Sequence, residues 1–400
     1  MNLFLLGVFL IFLFISWAIY QAYQEKQRLR LYGDAHFASM REIKKMGLLS
    51  REGLIIGIKQ GKLLRAQLTS HALVFAPSRS GKGVSQVIPN ALTFPDSLLA
   101  LDMKQEIFKE LGESRVKIDE PMREHVHMKV GGPADFYYEA SNSLELAKSV
   151  KAAIKSKIPY TVIGNGANIL VADKGIRGLI IQNHSKNMRF LPHDFVEIDS
   201  GVDNTDLILA AKNRSLTGME RLLKVPGTVG GAVYMNAGDT GKKDFFGDLV
   251  TWLEVIDTKG NLKKLRREDC DFSYRSSRFQ KTGEVILRVR IELKKATKEE
   301  LETAAKDILL RKSYHPAGAT IGSTFKNPNS DYAGRLIEQC DLKGKRIGGA
   351  KISEKHANFI INEGNATADD VKALIDLMKR VVREKFNVNL EEEIRYLGDW

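Results

Sequence analysis

Gly164-Asn165-Gly166-Ala167-Asn168-Ile169-Leu170 and, further along, Pro226-Gly227-Thr228-Val229-Gly230-Gly231-Ala232 are the two stretches that decide how this chain folds. The first follows an apolar run, Tyr160 to Ile163, that reads as a strand; the second follows Leu222 to Val225, which reads as a helix end. Glycine lets the backbone come close to a bound group and take positive φ. Successive N–H groups in such a turn form a concave nest that accepts a pyrophosphate. Neither stretch has the Gly-x-Gly-x-x-Gly spacing that opens a helix, so a Rossmann-type site is excluded. Two separate cradles imply a dinucleotide held by loops from two lobes.

Around these turns the chain reads as short strands and helices in alternation. The pattern predicts strands at Phe136–Glu139, Tyr160–Ile163, Gly178–Gln182, Phe195–Asp199 and Leu249–Asp257, with helices at Leu144–Lys155 and Thr205–Arg214. Mixed elements with period-2 stretches point to an α+β fold. Composition sets wider bounds: 400 residues suit two or three domains, and 43% hydrophobic content can fill a core. The two cysteines, Cys270 and Cys340, form no Cys-x-x-Cys and no secretory framework, which fits a reducing compartment. His125 and His127 could face one side of a strand, and a His-x-His pair alone is not a metal site, so no metal is expected.

The net charge of +12 is unevenly spread, since the first 110 residues hold 14 Lys and Arg against 8 Asp and Glu. Leu3 to Tyr20 carries no charge and is long enough to span a hydrocarbon core as a helix. Trp17, Tyr20 and Tyr23 suit a membrane interface, and Lys26, Arg28 and Arg30 follow, which places the remainder on the cytoplasmic side. Residues 1–31 are therefore expected to be an anchor with a basic flank.

Six motifs in order carry a resemblance. They are Gly164 to Leu170, Val225 to Gly238, Tyr274-Arg275-Ser276-Ser277, Gly322-Ser323-Thr324-Phe325-Lys326-Asn327-Pro328, Lys355-His356-Ala357-Asn358-Phe359 and Glu393-Ile394-Arg395. From about residue 110 to Trp400 the chain resembles the MurB family, the UDP-N-acetylenolpyruvoylglucosamine reductases of peptidoglycan synthesis. The interval from Phe279 to Leu301 is too short for the insertion of the longer type, so the shorter type is implied. The resemblance implies a two-lobed FAD-binding domain (110–310), a C-terminal α+β substrate domain (311–385) and a return of 386–400 to the active site.

The same resemblance assigns residues. Gly164, Asn165, Gly166, Ala167, Asn168, Gly227, Thr228, Gly230, Gly231, Asn236 and Gly238 would bind FAD, with Asn165, Asn168 and Asn236 adding side-chain hydrogen bonds. Val130 to Pro133 is either a packing element beside the adenosine or a plain hairpin turn. Ser323 would donate the proton, with Arg275 and Glu393 about the enolpyruvyl carboxylate and its developing enolate. Asn327, His356 and Arg395 would contact the UDP-sugar, and Arg311 or Lys312 its diphosphate. Alone, Gly322-Ser323 fits turn chemistry and Glu391 to Glu393 a solvated face. The whole motif series favours the functional reading of both. The expected reaction is NADPH-dependent reduction of UDP-N-acetylglucosamine enolpyruvate to UDP-N-acetylmuramate by a monomeric catalytic part that needs no nucleic acid.

Residues 32–109 resemble a different family. Tyr32 to Phe37, Ile43 to Leu49 and Ala76-Pro77-Ser78-Arg79-Ser80-Gly81-Lys82-Gly83 look like the start of a TraG-type coupling protein of conjugation machinery. The last segment has P-loop form, with Ala76 for the first Gly and Gly83 for the Ser/Thr, departures which that family shares. The pattern stops soon after Leu98 to Asp102, before further strands or an acid to organise Mg²⁺. A truncated tether is therefore expected. The alternative is a membrane-anchored fragment of a coupling ATPase.

Overall fold

The computed structural model describes residues 103–400, except 240, 242 and 330, together with Ser16, Trp17, Tyr20, 40–46, Leu49, 54–59 and 62–66. The chain divides into two compact units, Met1–Asp102 and Met103–Trp400. In the first, helix α1 is Met40–Lys45, and strands β1 (Leu54–Lys59) and β2 (Lys62–Ala66) form an antiparallel hairpin. The P-loop-like stretch 76–83 lies outside the described residues, as does Leu3–Tyr20 but for Ser16, Trp17 and Tyr20. Among the described residues, no helix is long and apolar enough to cross a membrane.

The second unit opens with α2, Met103–Leu111. Ile107 is 0% exposed and packs in one cluster with Phe136, Leu146, Val150 and Leu179. The boundary read at residue 110 thus falls inside a helix that belongs to this unit's core. The first lobe is a four-stranded sheet made from β3 (Val116–Pro121), β4 (Pro133–Ala140), β5 (Tyr160–Ile163) and β7 (Ile176–Asn183), with β6 (Ile169–Val171) apart from it. Spatial order is β3-β4-β7-β5, with β4 and β5 both parallel to β7. Helix α3 (Ser143–Lys155) supplies the crossover that two parallel strands require. Its cap is Asn142, whose side chain accepts from the N–H of Glu145, and Leu146, Val150 and Ala153 bury one face.

The second lobe is antiparallel throughout. Strands β8 (Met188–Phe190), β9 (Phe195–Asp199), β10 (Val250–Ile256), β11 (Leu262–Arg266) and β12 (Val285–Glu292) lie in the order β11-β10-β12-β9-β8. Helices α4 (Asn204–Lys212) and α5 (Val229–Tyr234) cover its core through Leu207, Ile208, Val229 and Val233. The stretch read as a helix end before Pro226 is a single 3-10 turn, Glu220–Leu222, followed by a turn at Leu223 and Lys224 in which Lys224 has φ 56°. The Gly-Gly-rich α5 begins only after it.

After helix α6 (Lys298–Arg311), four strands make the third sheet: β13 (Ala319–Ser323), β14 (Arg346–Ile347), β15 (Ala350–Ile352) and β16 (Phe359–Asn362), in the order β13-β16-β15-β14. Helix α7 (Ala333–Gln339) and the long α8 (Ala368–Phe386) pack on it. Thr367 and Asp370 form a reciprocal capping box that starts α8, and Asn387 at φ 55° ends it. Val371, Leu374, Ile375, Met378 and Val382 repeat at helical spacing and are all buried. The last strand, β17 (Arg395–Leu397), runs back to the first lobe and pairs in parallel with β6.

Candidate active site

The two glycine turns face one another. A Cβ on Gly164 would lie 2.4 Å from Thr228 Oγ1, and one on Gly227 would lie 3.8 Å from the Ala167 Cβ. Gly166 has φ +66°, and a Cβ there would come within 2.7 Å of the His125 carbonyl oxygen. Only glycine fits at 164 and 166, for reasons of space and of backbone conformation. Among the described residues, the N–H groups of Asn165, Gly166, Ala167 and Asn168 meet no backbone acceptor. Four such donors in one turn are what a diphosphate needs. Thr228 caps α5 by accepting from the N–H of Gly231, and Asn204 N–H donates to the Gly227 carbonyl. The second turn is therefore fixed by protein contacts, and a Cβ on Gly231 would lie 3.7 Å from Thr228 Oγ1.

The three asparagines expected to add side-chain hydrogen bonds each hold a partner within the protein. Asn165 Nδ2 donates to Asp203 Oδ2 at 2.7 Å, and Asn168 Nδ2 donates to the Glu393 carbonyl at 3.1 Å. Asn236, only 3% exposed, donates to the Ser273 carbonyl and accepts from the N–H of Gly247. These side chains tie loops together, and the buried Asn236 amide satisfies both its ends. Gly238 lies in a short hairpin strand, Gly238–Asp239, and offers its carbonyl to the Arg275 guanidinium at 3.4 Å. Val130 to Pro133 is no hairpin turn. Gly131 and Gly132 press against Val171 and Asp173, where a Cβ would come within 2.7 Å and 2.1 Å.

Arg275 sits in a tight loop in which Ser273 and Ser276 exchange both backbone hydrogen bonds at 3.1 Å. Its φ is +53°, the left-handed region, which is uncommon for a side chain of this size. Ser277 Oγ and Gln280 Nε2 both donate to the Tyr234 carbonyl at the end of α5, and Gln280 also holds the Arg275 carbonyl. This loop aims the guanidinium at Glu393, whose Oε1 lies 2.7 Å from Arg275 Nε. Burial pushes the Glu393 carboxyl up, against the opposing pull of Arg275 and Lys326.

Glu393 is also joined to the Ser323 strand. Its N–H donates to the Thr324 carbonyl at 2.9 Å, Lys326 N–H donates to the Glu391 carbonyl, and Phe325 bridges Glu392. Ser323, at the end of β13, is thus one residue from the pairing that holds Glu393. Arg395 N–H donates to the Asn168 carbonyl at 3.0 Å, and its exposed guanidinium lies 5.8 Å from the Tyr234 ring. One short C-terminal segment therefore touches the first glycine turn, the Ser323 strand and the Arg275 loop.

The remaining expected residues divide. Asn327 N–H donates to Tyr274 Oη at 3.1 Å, and its Oδ1 accepts from Ala333 N–H, so its carbonyl caps α7. His356 packs in a ring cluster with Tyr314, His315 and Phe359, and burial lowers its pKa. His315 is pushed down to about 4 by burial. Arg311 pairs with Asp239 and Asp307. Lys312, lowered to about 8 chiefly by burial, donates to the carbonyls of Arg221 and Leu223. Both heads are committed within the protein. His125 and His127 lie in a turn rather than on a strand, and His125 Nε2 is 2.8 Å from Glu120 Oε1, the carboxylate overlooked in sequence.

This is the architecture of a flavin-binding α+β protein with an added C-terminal domain. A family model described as "FAD binding domain" matches residues 134–266, and one for the C-terminal domain of UDP-N-acetylenolpyruvoylglucosamine reductase matches 314–397. The reductase of Clostridium kluyveri is 39% identical over 286 residues, 71% of this chain and 93% of that protein. That of Caldanaerobacter subterraneus is 39% identical over 303 residues, 75% and 99% respectively. The crystal structure of MurB from Thermus caldophilus superposes with TM-score 0.61 at 32% identity, covering 71% of this chain and 98% of that one. The chain belongs to the UDP-N-acetylenolpyruvoylglucosamine reductase family. A model for type IV secretory conjugative DNA transfer matches residues 36–123, in keeping with the resemblance of the N-terminal part.

Proposed function

We propose that the chain reduces the enol ether of UDP-N-acetylglucosamine enolpyruvate to UDP-N-acetylmuramate, with NADPH as hydride source. The residues suit FAD, because four backbone N–H groups of the first turn are free of backbone acceptors. FAD, when bound, would carry the hydride from NADPH to the vinyl carbon. Hydride addition leaves carbanion character on the neighbouring carbon, and this chain's residues must stabilise and then protonate it. The fork of Arg275 suits the enolpyruvyl carboxylate, and Glu393 fixes that fork. Ser323 would give the proton, its weak acidity offset by this charge network. The observation that supports this most is the pairing of Glu393 with Arg275 on a segment bonded to both Thr324 and Asn168.

The site residues of the sequence reading follow as part of this proposal, with Asn236 holding the Arg275 loop. The flavin domain would be 103–310, the substrate domain 311–385 and the catalytic return 386–400. Residues 1–31 would anchor the enzyme at the cytoplasmic membrane face, with 32–102 as a tether. Purified protein should be yellow, carry a flavin spectrum and oxidise NADPH only when the enolpyruvyl sugar is added. Colourless protein that hydrolyses ATP would instead favour the coupling-protein reading.

A further inference from the structure

An arginine stands where the backbone calls for glycine. Ser273 and Ser276 exchange both backbone hydrogen bonds at 3.1 Å, so Tyr274 and Arg275 are the two central residues of a tight turn. Arg275 takes φ +53°, while Tyr274 stays out of the left-handed region. Positive φ at the second central position favours Gly or Asn, because a Cβ there crowds the following carbonyl oxygen. For an arginine the left-handed state is disfavoured about tenfold. Both central side chains reach across to the segments that frame the site. Tyr274 Oη accepts from the Asn327 N–H at 3.1 Å, and Arg275 Nε lies 2.7 Å from Glu393 Oε1. The terminal nitrogens of Arg275 are 3.4 Å from the Gly238 carbonyl. Relaxing Arg275 to negative φ would swing its side chain away from Glu393.

A side chain five positions on holds the strained residue. Gln280, in the short helix Phe279–Thr282, donates from Nε2 to the Arg275 carbonyl at 3.1 Å and to the Tyr234 carbonyl at 2.9 Å. That nitrogen has two hydrogens, and the two carbonyls are its strong acceptors; Met235 Sδ, at 3.7 Å, is a weak third. Among the described residues, the Arg275 carbonyl meets no backbone donor. Tyr234 is the last residue of α5, so its carbonyl has no partner within that helix. Ser277 Oγ also donates to it at 2.7 Å, and Asn236, just past α5, donates to the Ser273 carbonyl at 2.9 Å. Three side chains thus fasten the turn to one helix end, and Gln280 alone of them grips the strained residue itself.

We propose that Gln280 is a positioning residue for the substrate carboxylate: with one hydrogen on the α5 end and the other on the Arg275 carbonyl, it keeps Arg275 left-handed and its guanidinium turned into the site. This rests on the reading of Arg275 given above. One net hydrogen bond shifts an equilibrium about tenfold, the same size as the left-handed bias it opposes. Without it a minority of molecules present Arg275 correctly, and apparent affinity for the sugar falls by that fraction. A saturating carboxylate draws the arginine back, so the limiting rate is regained. Flavin reduction by NADPH needs no carboxylate contact and keeps its rate.

The test compares Gln280→Met, which keeps the length without the donors, with Gln280→Lys, which restores donors, in the flavin-loaded enzyme. Melting curves and flavin content verify folding; should Gln280→Met not fold, Gln280→Asn, one methylene too short to span both carbonyls, takes its place. In rapid mixing, the donor-less variant should raise the half-saturating concentration of the enolpyruvyl sugar about tenfold, with the limiting reoxidation rate unchanged. Gln280→Lys should return to wild-type behaviour. A second readout needs no turnover. Arg275 Nε is shut off from solvent, so its N–H resonance in isotope-labelled arginine, identified by its loss in Arg275→Lys, should exchange slowly in the wild type and rapidly in Gln280→Met. Unchanged sugar dependence with unchanged exchange overturns the proposal, and so does a loss of flavin affinity in place of sugar affinity, which marks plain packing. Wild-type sugar dependence in Arg275→Ala sinks the carboxylate reading instead, and the exchange measurement still decides the positioning.

Discussion

Ile107→Ala measures whether the helix ahead of the first strand belongs to the reductase. Ile107 is 0% exposed and Leu111 5%, and both sit in the cluster that includes Phe136, Tyr138, Leu146 and Val150. Truncating a fully buried Ile to Ala costs about 2–5 kcal/mol, from lost transfer energy plus the cavity left behind. A chain that starts at Gly112 loses both side chains and exposes the faces they cover, so about 3–6 kcal/mol of burial goes at the usual 1.5–3 kcal/mol per side chain. Domain stabilities run at about 5–15 kcal/mol, so that truncation should leave the protein near its folding limit. Urea titrations of the chain starting at Met103, with and without Ile107→Ala, and of the chain starting at Gly112 provide the numbers. The Met103 chain should keep flavin and turnover, and its Ile107→Ala form should shift its midpoint down at unchanged slope. Equal midpoints for the Met103 and Gly112 chains would refute the assignment of the helix to this core.

Ser323→Ala should leave flavin reduction by NADPH unchanged and slow reoxidation by the enolpyruvyl sugar by about 10²–10⁴-fold, the range of a general acid. Rapid mixing that follows flavin colour separates the two steps, and slowing of the first alone would remove the proton-donor role. Lys82→Ala should not change reductase turnover, since the proposed chemistry uses no nucleotide at 76–83; a loss in the steady-state assay would refute this. His315, held down at about 4 in the folded protein, should destabilise it in acid. A base with a depressed folded pKa gives stability that is complete above its unfolded value near 6.5 and is lost as pH falls through the folded one. His315→Phe should thus flatten the loss between about pH 6.5 and about 4, by at most about 3 kcal/mol, in thermal melts across that range.

Local sequence signals located most of what local physics determines. The strand at Tyr160–Ile163 and the α3 helix are legible because apolar periodicity and the Asn142 cap agree. The first glycine turn is legible because Gly164 and Gly166 leave no room for a side chain. What stayed hidden depends on contacts far apart in sequence. Nothing near Met103 marks α2 as core, since its partners Phe136 and Leu146 come later and from other elements. Asn236 looks like a ligand contact beside a glycine motif, yet Ser273 and Gly247, distant in sequence, take both its ends. The hydrogen-bonded contacts among Glu120, His125, Tyr137 and Gln182 combine four segments, and the pairing of β3, β4 and β7 brings them together. A search for buried polar residues alternating with apolar ones on β4 and β7 could have raised Tyr137 and Gln182.

The parallel pairing of β17 with β6 also bears on the order of folding. Arg395 pairs with Ile169 and Leu397 with Val171, and the Asn168 amide that donates to the Glu393 carbonyl is 225 residues away in sequence. Contacts of such separation form late, because loop-closure entropy is lost before they stabilise anything. The sheets of both lobes and the third sheet join strands that lie closer in sequence and can form first. A chain refolding from denaturant should therefore regain its secondary structure before Arg275 meets Glu393.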